Sequence, residues 1–186
     1  FSMHQIVGYR KVKKHMKRNW LHELKKIKKK DWKQIYHVVI LPTYKEGSNI
    51  IKETIDSLVA SDYPKEKIMV VLATEKRAGK AFEDAAKNIE RAYANIFFKF
   101  LVVAHASDVK GEISGKGSNV AFAGEEVKKA IDKLSLPYEN ILISTFDIDT
   151  KIYTQYFSCL TWYYVTQDNP QRASYQPIPV YNNNIW

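Results

Sequence analysis

From Tyr36 onward the chain alternates short apolar runs with stretches whose apolar residues recur at helical spacing. Tyr36 to Leu41 is a β-rich apolar run that leads into Pro42-Thr43-Tyr44-Lys45-Glu46-Gly47. Ile51, Ile55, Leu58 and Val59 then predict a helix, with Ser48 placed to cap it. Ile68 to Ala73 predicts a second strand, introduced by a turn at Tyr63-Pro64, and Lys76 to Ala94 a second helix. Phe97 to Ala104 predicts a third strand. Ser107 to Ser118 has three glycines and only Val109 and Ile113 as long apolar side chains, so it reads as a loop. Asn119 to Leu134 predicts a third helix, and Ile141 to Phe146 a fourth strand ended by Asp147-Ile148-Asp149. Ile152 to Val165, interrupted by Thr154, Gln155, Ser158 and Thr161, reads as a buried helix. This order of elements implies an α/β fold: a mostly parallel, Rossmann-like sheet flanked by helices on both faces.

The segment before Tyr36 has a different pattern. Val12, Met16, Trp20, Leu24 and Ile27 recur at spacings of four and three, which places them on one stripe of a helix. The other faces are nearly all Lys and Arg. Charge sharpens the division. Twelve of the 29 basic residues lie between Arg10 and Lys33 against only Glu23 and Asp31, so this segment carries +10 and the remainder −1. The expected organisation is a basic amphipathic helix over residues 1–33 and an α/β domain over residues 34–186. A narrow apolar stripe on a cationic helix fits an anionic membrane surface. The plainer alternative is a solvated helix packing its stripe on the domain. Nucleic acid is not expected as a partner, because the basic charge does not spread over the domain. No apolar run reaches the roughly 18 residues needed to span a bilayer, and no signal peptide is visible. The single cysteine, Cys159, excludes an internal disulfide and fits a reducing compartment. The ends, Phe1 and Asn-Asn-Asn-Ile-Trp, read as those of a piece of a longer protein. Nothing in the pattern sets an oligomeric state.

In a parallel sheet ligands bind beyond the carboxyl ends of the strands, and three polar constellations are expected there. Asp147 and Asp149, two apart after a buried strand, would project to one side of an extended chain and can address one divalent cation, a solvated acidic pair being the plainer alternative. Oxygen ligands suit Mg2+ or Mn2+, which share coordination with a diphosphate. Pro42, Thr43, Tyr44 and Glu46 offer backbone amides, a hydroxyl, a ring for a base and a carboxylate for a base or ribose. Glu46 can instead simply favour the start of the following helix. Lys116-Gly117-Ser118-Asn119 puts a lysine beside free amides at a helix start, an anion site suited to a diphosphate; Ser118 or Asn119 as an ordinary cap is the alternative. Glu75, just past the second strand, can accept the imide proton of uracil or can simply be solvated. His4, His15, His22, His37 and His105 show no metal-ligand spacing, with His15 and His22 expected in solvent. No Ser-His-Asp set or Walker-type loop appears, which argues against hydrolase and NTPase chemistry.

The series Val-Ile-Leu-Pro-Thr-Tyr-Lys-Glu, a strand with an acid at its end, Gly-Lys-Gly-Ser-Asn, and Phe-Asp-Ile-Asp resembles family 2 glycosyltransferases of the GT-A fold, over about residues 36–181. The resemblance implies a nucleotide-diphosphate-sugar donor, a UDP-sugar first, and Mg2+ or Mn2+. It matches Thr43, Tyr44 and Glu46 to the first donor motif, Lys116 and Asn119 to a segment near the phosphates, and Asp147 and Asp149 to the metal and ribose pair. It departs from the family at Thr74-Glu75, where an aspartate is usual. The family's acidic catalytic motif and Gln-x-x-Arg-Trp segment do not occur before Trp186, so the general base is expected beyond it. Gln176-Pro177-Ile178-Pro179 is placed to begin an acceptor-side wall. The leading expectation is metal-dependent, inverting sugar transfer to an acceptor hydroxyl at the cytoplasmic face of a membrane. The alternatives are a nucleotidyltransferase, whose glycine-rich, arginine-containing loop is not evident, and a non-catalytic membrane-binding module.

Overall fold

The structure is a computed structural model that describes residues 2–28, 31–106, 109, 111–113 and 115–177. Four strands form the sheet: β1 (Tyr36–Pro42), β2 (Ile68–Glu75), β3 (Lys99–His105) and β4 (Ile141–Thr145). Their order is β3-β2-β1-β4 and all pairings are parallel. β1 aligns His37 with Ile68 on one side and with Leu142 on the other. The chain therefore winds outward in one direction through β2 and β3, then crosses back to place β4 beside β1. The β1–β4 boundary is the switch point, beside whose carboxyl edge ligands bind in sheets of this kind.

Period-2 alternation along β1 sorts its side chains between two cores. Val39 and Leu41 face α3 (Ser48–Val59) and α4 (Lys80–Tyr93), through Ile51, Ile55, Leu58, Ala86 and Ile89. Val38 and Ile40 face α5 (Lys116–Lys133), through Ala123, Val127 and Ile131. β2 is buried along its whole length, as a central strand covered on both faces must be. α6 (Tyr156–Thr166) closes the first core with Phe157, Leu160, Tyr164 and Val165.

Several element ends differ from the pattern's expectation. The helix expected from Lys76 is interrupted: Lys76–Ala78 is a 3-10 turn, and Gly79 at φ +92° turns the chain before α4 begins. That left-handed φ favours glycine. Gly47, not Ser48, stands at the cap of α3, and Ser48 is its first helical residue. β2 runs on through Thr74 and Glu75, so Glu75 belongs to the strand.

The basic segment is not one helix. α1 (Ser2–Met16) and α2 (Trp20–Lys25) meet at a break before Trp20, where the Asn19 side chain accepts the backbone N–H of His22 at 2.9 Å. Asparagine competes for backbone groups in this way and favours caps over helix interiors. The expected stripe is divided accordingly. Trp20 and Leu24 are buried against α6, and Ile27 packs on the same core, so this half of the stripe follows the plain packing alternative. Met16 stays exposed, as do Met3, Ile6 and Val7 on α1. Among the described residues no helix is long and apolar enough to cross a membrane.

Candidate functional site

Three strand ends and one helix start converge on the carboxyl edge beside the switch point. The Ala73 carbonyl joins them. It accepts the backbone N–H of Thr43 at 2.8 Å and the side-chain N–H of Asn119, also at 2.8 Å. Asn119 is 1% exposed, so its amide fastens the start of α5 to the β1–β2 edge and does not face a ligand. Its Oδ1 has no hydrogen-bond partner among the described residues. The cap of α5 is Gly115; Ser118 bonds back to it, accepting its N–H at 3.2 Å and donating to its carbonyl at 2.8 Å.

The turn after β1 is organised around one carboxylate oxygen. Glu46 Oε2 accepts the Thr43 hydroxyl at 2.6 Å, the Tyr44 N–H at 2.7 Å and the Lys45 N–H at 3.1 Å. Burial pushes the Glu46 carboxyl up. These hydrogen bonds favour the ionised form more strongly and hold it below its ordinary range. Glu46 thus shapes the loop more than it offers itself to a base. Pro42 ends the strand, buried and paired with Ala73, and Thr43 is buried as well. Of the four residues in this constellation, Tyr44 presents the ring at the mouth.

Tyr44 and Glu75 are brought together by a residue the pattern did not single out. Arg77 pairs through Nε with Glu75 Oε2, and its guanidinium lies 4.4 Å from the centre of the Tyr44 ring. Lys45 Nζ is 5.0 Å from the same ring. The signal for Arg77 was present in its spacing of two from Glu75. The expectation of an unbroken helix from Lys76 concealed it.

The aspartate pair lies in a turn and not in an extended strand. β4 ends at Thr145, and the Thr150 N–H bonds the Asp147 carbonyl at 2.9 Å. Ile148 pins this turn, because its side chain is buried and its carbonyl accepts the buried Thr54 hydroxyl. Asp147 and Asp149 stay exposed on either side of that anchor. Lys116 Nζ contacts Asp147 Oδ1, so the lysine at the start of α5 and the first aspartate share one place. Among the described residues no group of three His, Cys, Asp or Glu side chains gathers to hold a metal. Two exposed carboxylates suit a hard cation only if another molecule supplies further oxygens.

Other expectations fall elsewhere. His15 bonds the Tyr163 hydroxyl at 2.9 Å and packs 4.4 Å from Trp20, so it is part of the α1–α2 junction. His37 is a core residue and His105 lies 3.0 Å from Glu112, beside the loop. Residues 178–186, including Ile178 and Pro179 of the expected acceptor-side wall, lie outside the described residues, as do 107, 108, 110 and 114 of the loop. A cleft of about 270 Å³ lined by Ile35, Asn140 and Tyr164 lies at the amino ends of β1 and β4, opposite the motifs.

No protein-family model and no curated protein matches the sequence. Among solved structures, residues 1–349 of S. aureus TarS share 21% identity at a TM-score of 0.44, over 65% of this chain and 29% of that one. The mannosyltransferase PcManGT from Pyrobaculum calidifontis, in complex with GDP-Man and Mn2+, shares 18% at 0.47, over 81% and 40%. The similarity is to glycosyltransferases. The chain spans well under half the length of either, and at this identity and score its own geometry carries the reading of its site.

Proposed function

We propose that this chain is the nucleotide-sugar-binding part of a glycosyltransferase that moves a sugar, with inversion, from a nucleotide-diphosphate donor to an acceptor hydroxyl. The observation that carries the reading is the contact between Lys116 and Asp147. It brings a cation at a helix start and an exposed acidic turn to the switch point, beside the ring and carboxylate of Tyr44 and Glu75. A base, a diphosphate and a shared cation need these chemistries in this order along the edge. A nucleotidyltransferase gains no feature from the structure.

In this reading Tyr44 and Glu75 take the base. Lys116 leaves Asp147 to meet the diphosphate, which frees the aspartate at the moment the ligand arrives. Asp147 and Asp149 would hold Mg2+ or Mn2+ with diphosphate oxygens completing the set. The cation would supply charge neutralisation for the departing diphosphate. A UDP-sugar remains the first donor to try, and the site works at the cytoplasmic face of a membrane, with α1 as the surface helix.

Calorimetric titration of UDP and GDP, in Mn2+ and then in EDTA, tests this. Binding about tenfold tighter with the metal is expected, with Asp149→Ala removing that difference and Lys116→Ala weakening binding in both conditions. Equal affinity with and without metal, untouched by Asp149→Ala, would overturn the metal assignment. The absence of any nucleotide binding would overturn the reading itself.

A further inference from the structure

Among the described residues Glu75 is the one acid of this edge that lies inside the sheet, with its side chain 8% exposed, and only one of its oxygens is paired. Arg77 holds Oε2, and among the described residues Oε1 accepts no hydrogen bond. The Arg77 guanidinium is itself held from a second direction by the Tyr44 ring, at 4.4 Å. A planar cation gripped by a carboxylate and an aromatic face has little freedom to turn. We infer that Arg77 is the positioning residue that makes this site selective for its base: it holds Glu75 by Oε2 and leaves Oε1 as the acceptor, so the site takes a base that presents an N–H beside a carbonyl.

The inference rests on the nucleotide-sugar reading of this edge and adds a rule for the base. An ionised carboxylate accepts hydrogen bonds and cannot donate them. Uracil offers N3–H, and guanine offers N1–H with its amino group. Cytosine and adenine present a bare ring nitrogen at that position, which would set a lone pair against Glu75 Oε1. Without Arg77 on Oε2, the Glu75 side chain loses its fixed orientation and with it the single acceptor that makes the distinction. The departure from aspartate at Thr74-Glu75 also acquires a reason. The longer glutamate reaches Arg77, two residues on, across the 3-10 turn that Gly79 ends.

Four nucleoside diphosphates and inorganic pyrophosphate, titrated against the wild type and three variants, test the role. A hydrogen bond to a charged group corresponds to about a 10- to 100-fold preference. The wild type should therefore prefer UDP or GDP over CDP and ADP by that factor, and the UDP and GDP arms show which carbonyl-bearing base fits. Arg77→Ala should lose most of the preference, Arg77→Lys should retain it, and pyrophosphate affinity should not change in either. Glu75→Gln, which leaves no buried charge and so guards against misfolding of Arg77→Ala, should erase the preference too. Circular dichroism checks that each variant is folded. An undiminished preference in folded Arg77→Ala, or no preference in the wild type despite nucleotide binding, would overturn the inference alone. Failure of the wild type to bind pyrophosphate or any nucleotide would instead remove the reading beneath it.

Discussion

At the scale of single residues, the chain commits several polar side chains to the interior, and these set its response to pH. His37 is fully buried, with Nε2 2.7 Å from the Thr161 hydroxyl and its ring among Tyr63 and Phe157. Burial lowers its pKa from 6.5 to about 3. The unfolded chain therefore binds a proton on this histidine that the folded chain refuses. Stability is complete above the unfolded value near 6.5 and is lost as the pH falls from there toward about 3. Between pH 7 and pH 4.5 the loss from His37 should be about 2–3 kcal/mol. Glu46, whose carboxyl is held low, works in the same direction further down. Its contribution is present above the ordinary carboxylate range and is lost as the pH drops through its depressed folded value. Urea unfolding of the wild type and of His37→Gln at the two pH values separates these effects. The variant should show a drop smaller by about the His37 amount, and an equal drop in both proteins would show that His37 is not the acid-sensitive group. None of this was legible in the sequence, where His37 was one histidine without a partner. What placed it in the core was its alternate position on β1 and a hydroxyl 124 residues away.

At the scale of elements, hydrophobic period decided what could be read. All four strands lie where apolar runs predicted them, and the acidic, lysine and aromatic motifs lie at the predicted edge, because strand ends and ligands are tied together by topology. The errors concern polar detail at element ends. Gly79 split a helix, Glu75 moved into β2, and the aspartates turned instead of extending, since the Ile148 anchor depends on a long-range contact with Thr54. The largest miss was the basic segment, where a five-residue stripe read as one helix. Asn19 caps α2, and Trp20 sinks to 1% exposure with its ring 5.4 Å from Trp162 while Arg18 lies over both rings. Replacement of a buried aromatic by alanine costs about 3–5 kcal/mol, and loss of an asparagine cap about 1 kcal/mol. Trp20→Ala should therefore destabilise the whole domain to chemical unfolding, several times more than Asn19→Ala. A Trp20→Ala protein as stable as the wild type would mean that α2 is a detachable appendage and no part of the core.

At the scale of the whole molecule, the charge and the site lie at two ends of one connection. The first 33 residues carry +10 against −1 for the remainder, and α1 holds Arg10, Lys11, Lys13 and Lys14 together with exposed Met3, Ile6 and Val7. The end of α1 is fastened to the segment that follows the aspartate turn. The Tyr153 hydroxyl donates to the Met16 carbonyl at 2.8 Å, and the Trp20 N–H donates to the Gln155 side chain at 2.6 Å. A membrane surface bound by α1 would thus be joined through Tyr153 and a short stretch of chain to Asp149. Each basic residue near an anionic surface contributes about 1 kcal/mol, and the three apolar side chains add area to bury. Co-sedimentation should show binding to vesicles containing phosphatidylserine, none to pure phosphatidylcholine, and weakening as salt rises. Removal of residues 1–14 should abolish it while leaving the unfolding curve nearly unchanged, because His15 and Met16 make the hydrogen bonds that fasten the end of α1. Binding that survives this deletion, with the domain still folded, would take the membrane surface away from α1 and leave its exposed apolar residues to another partner.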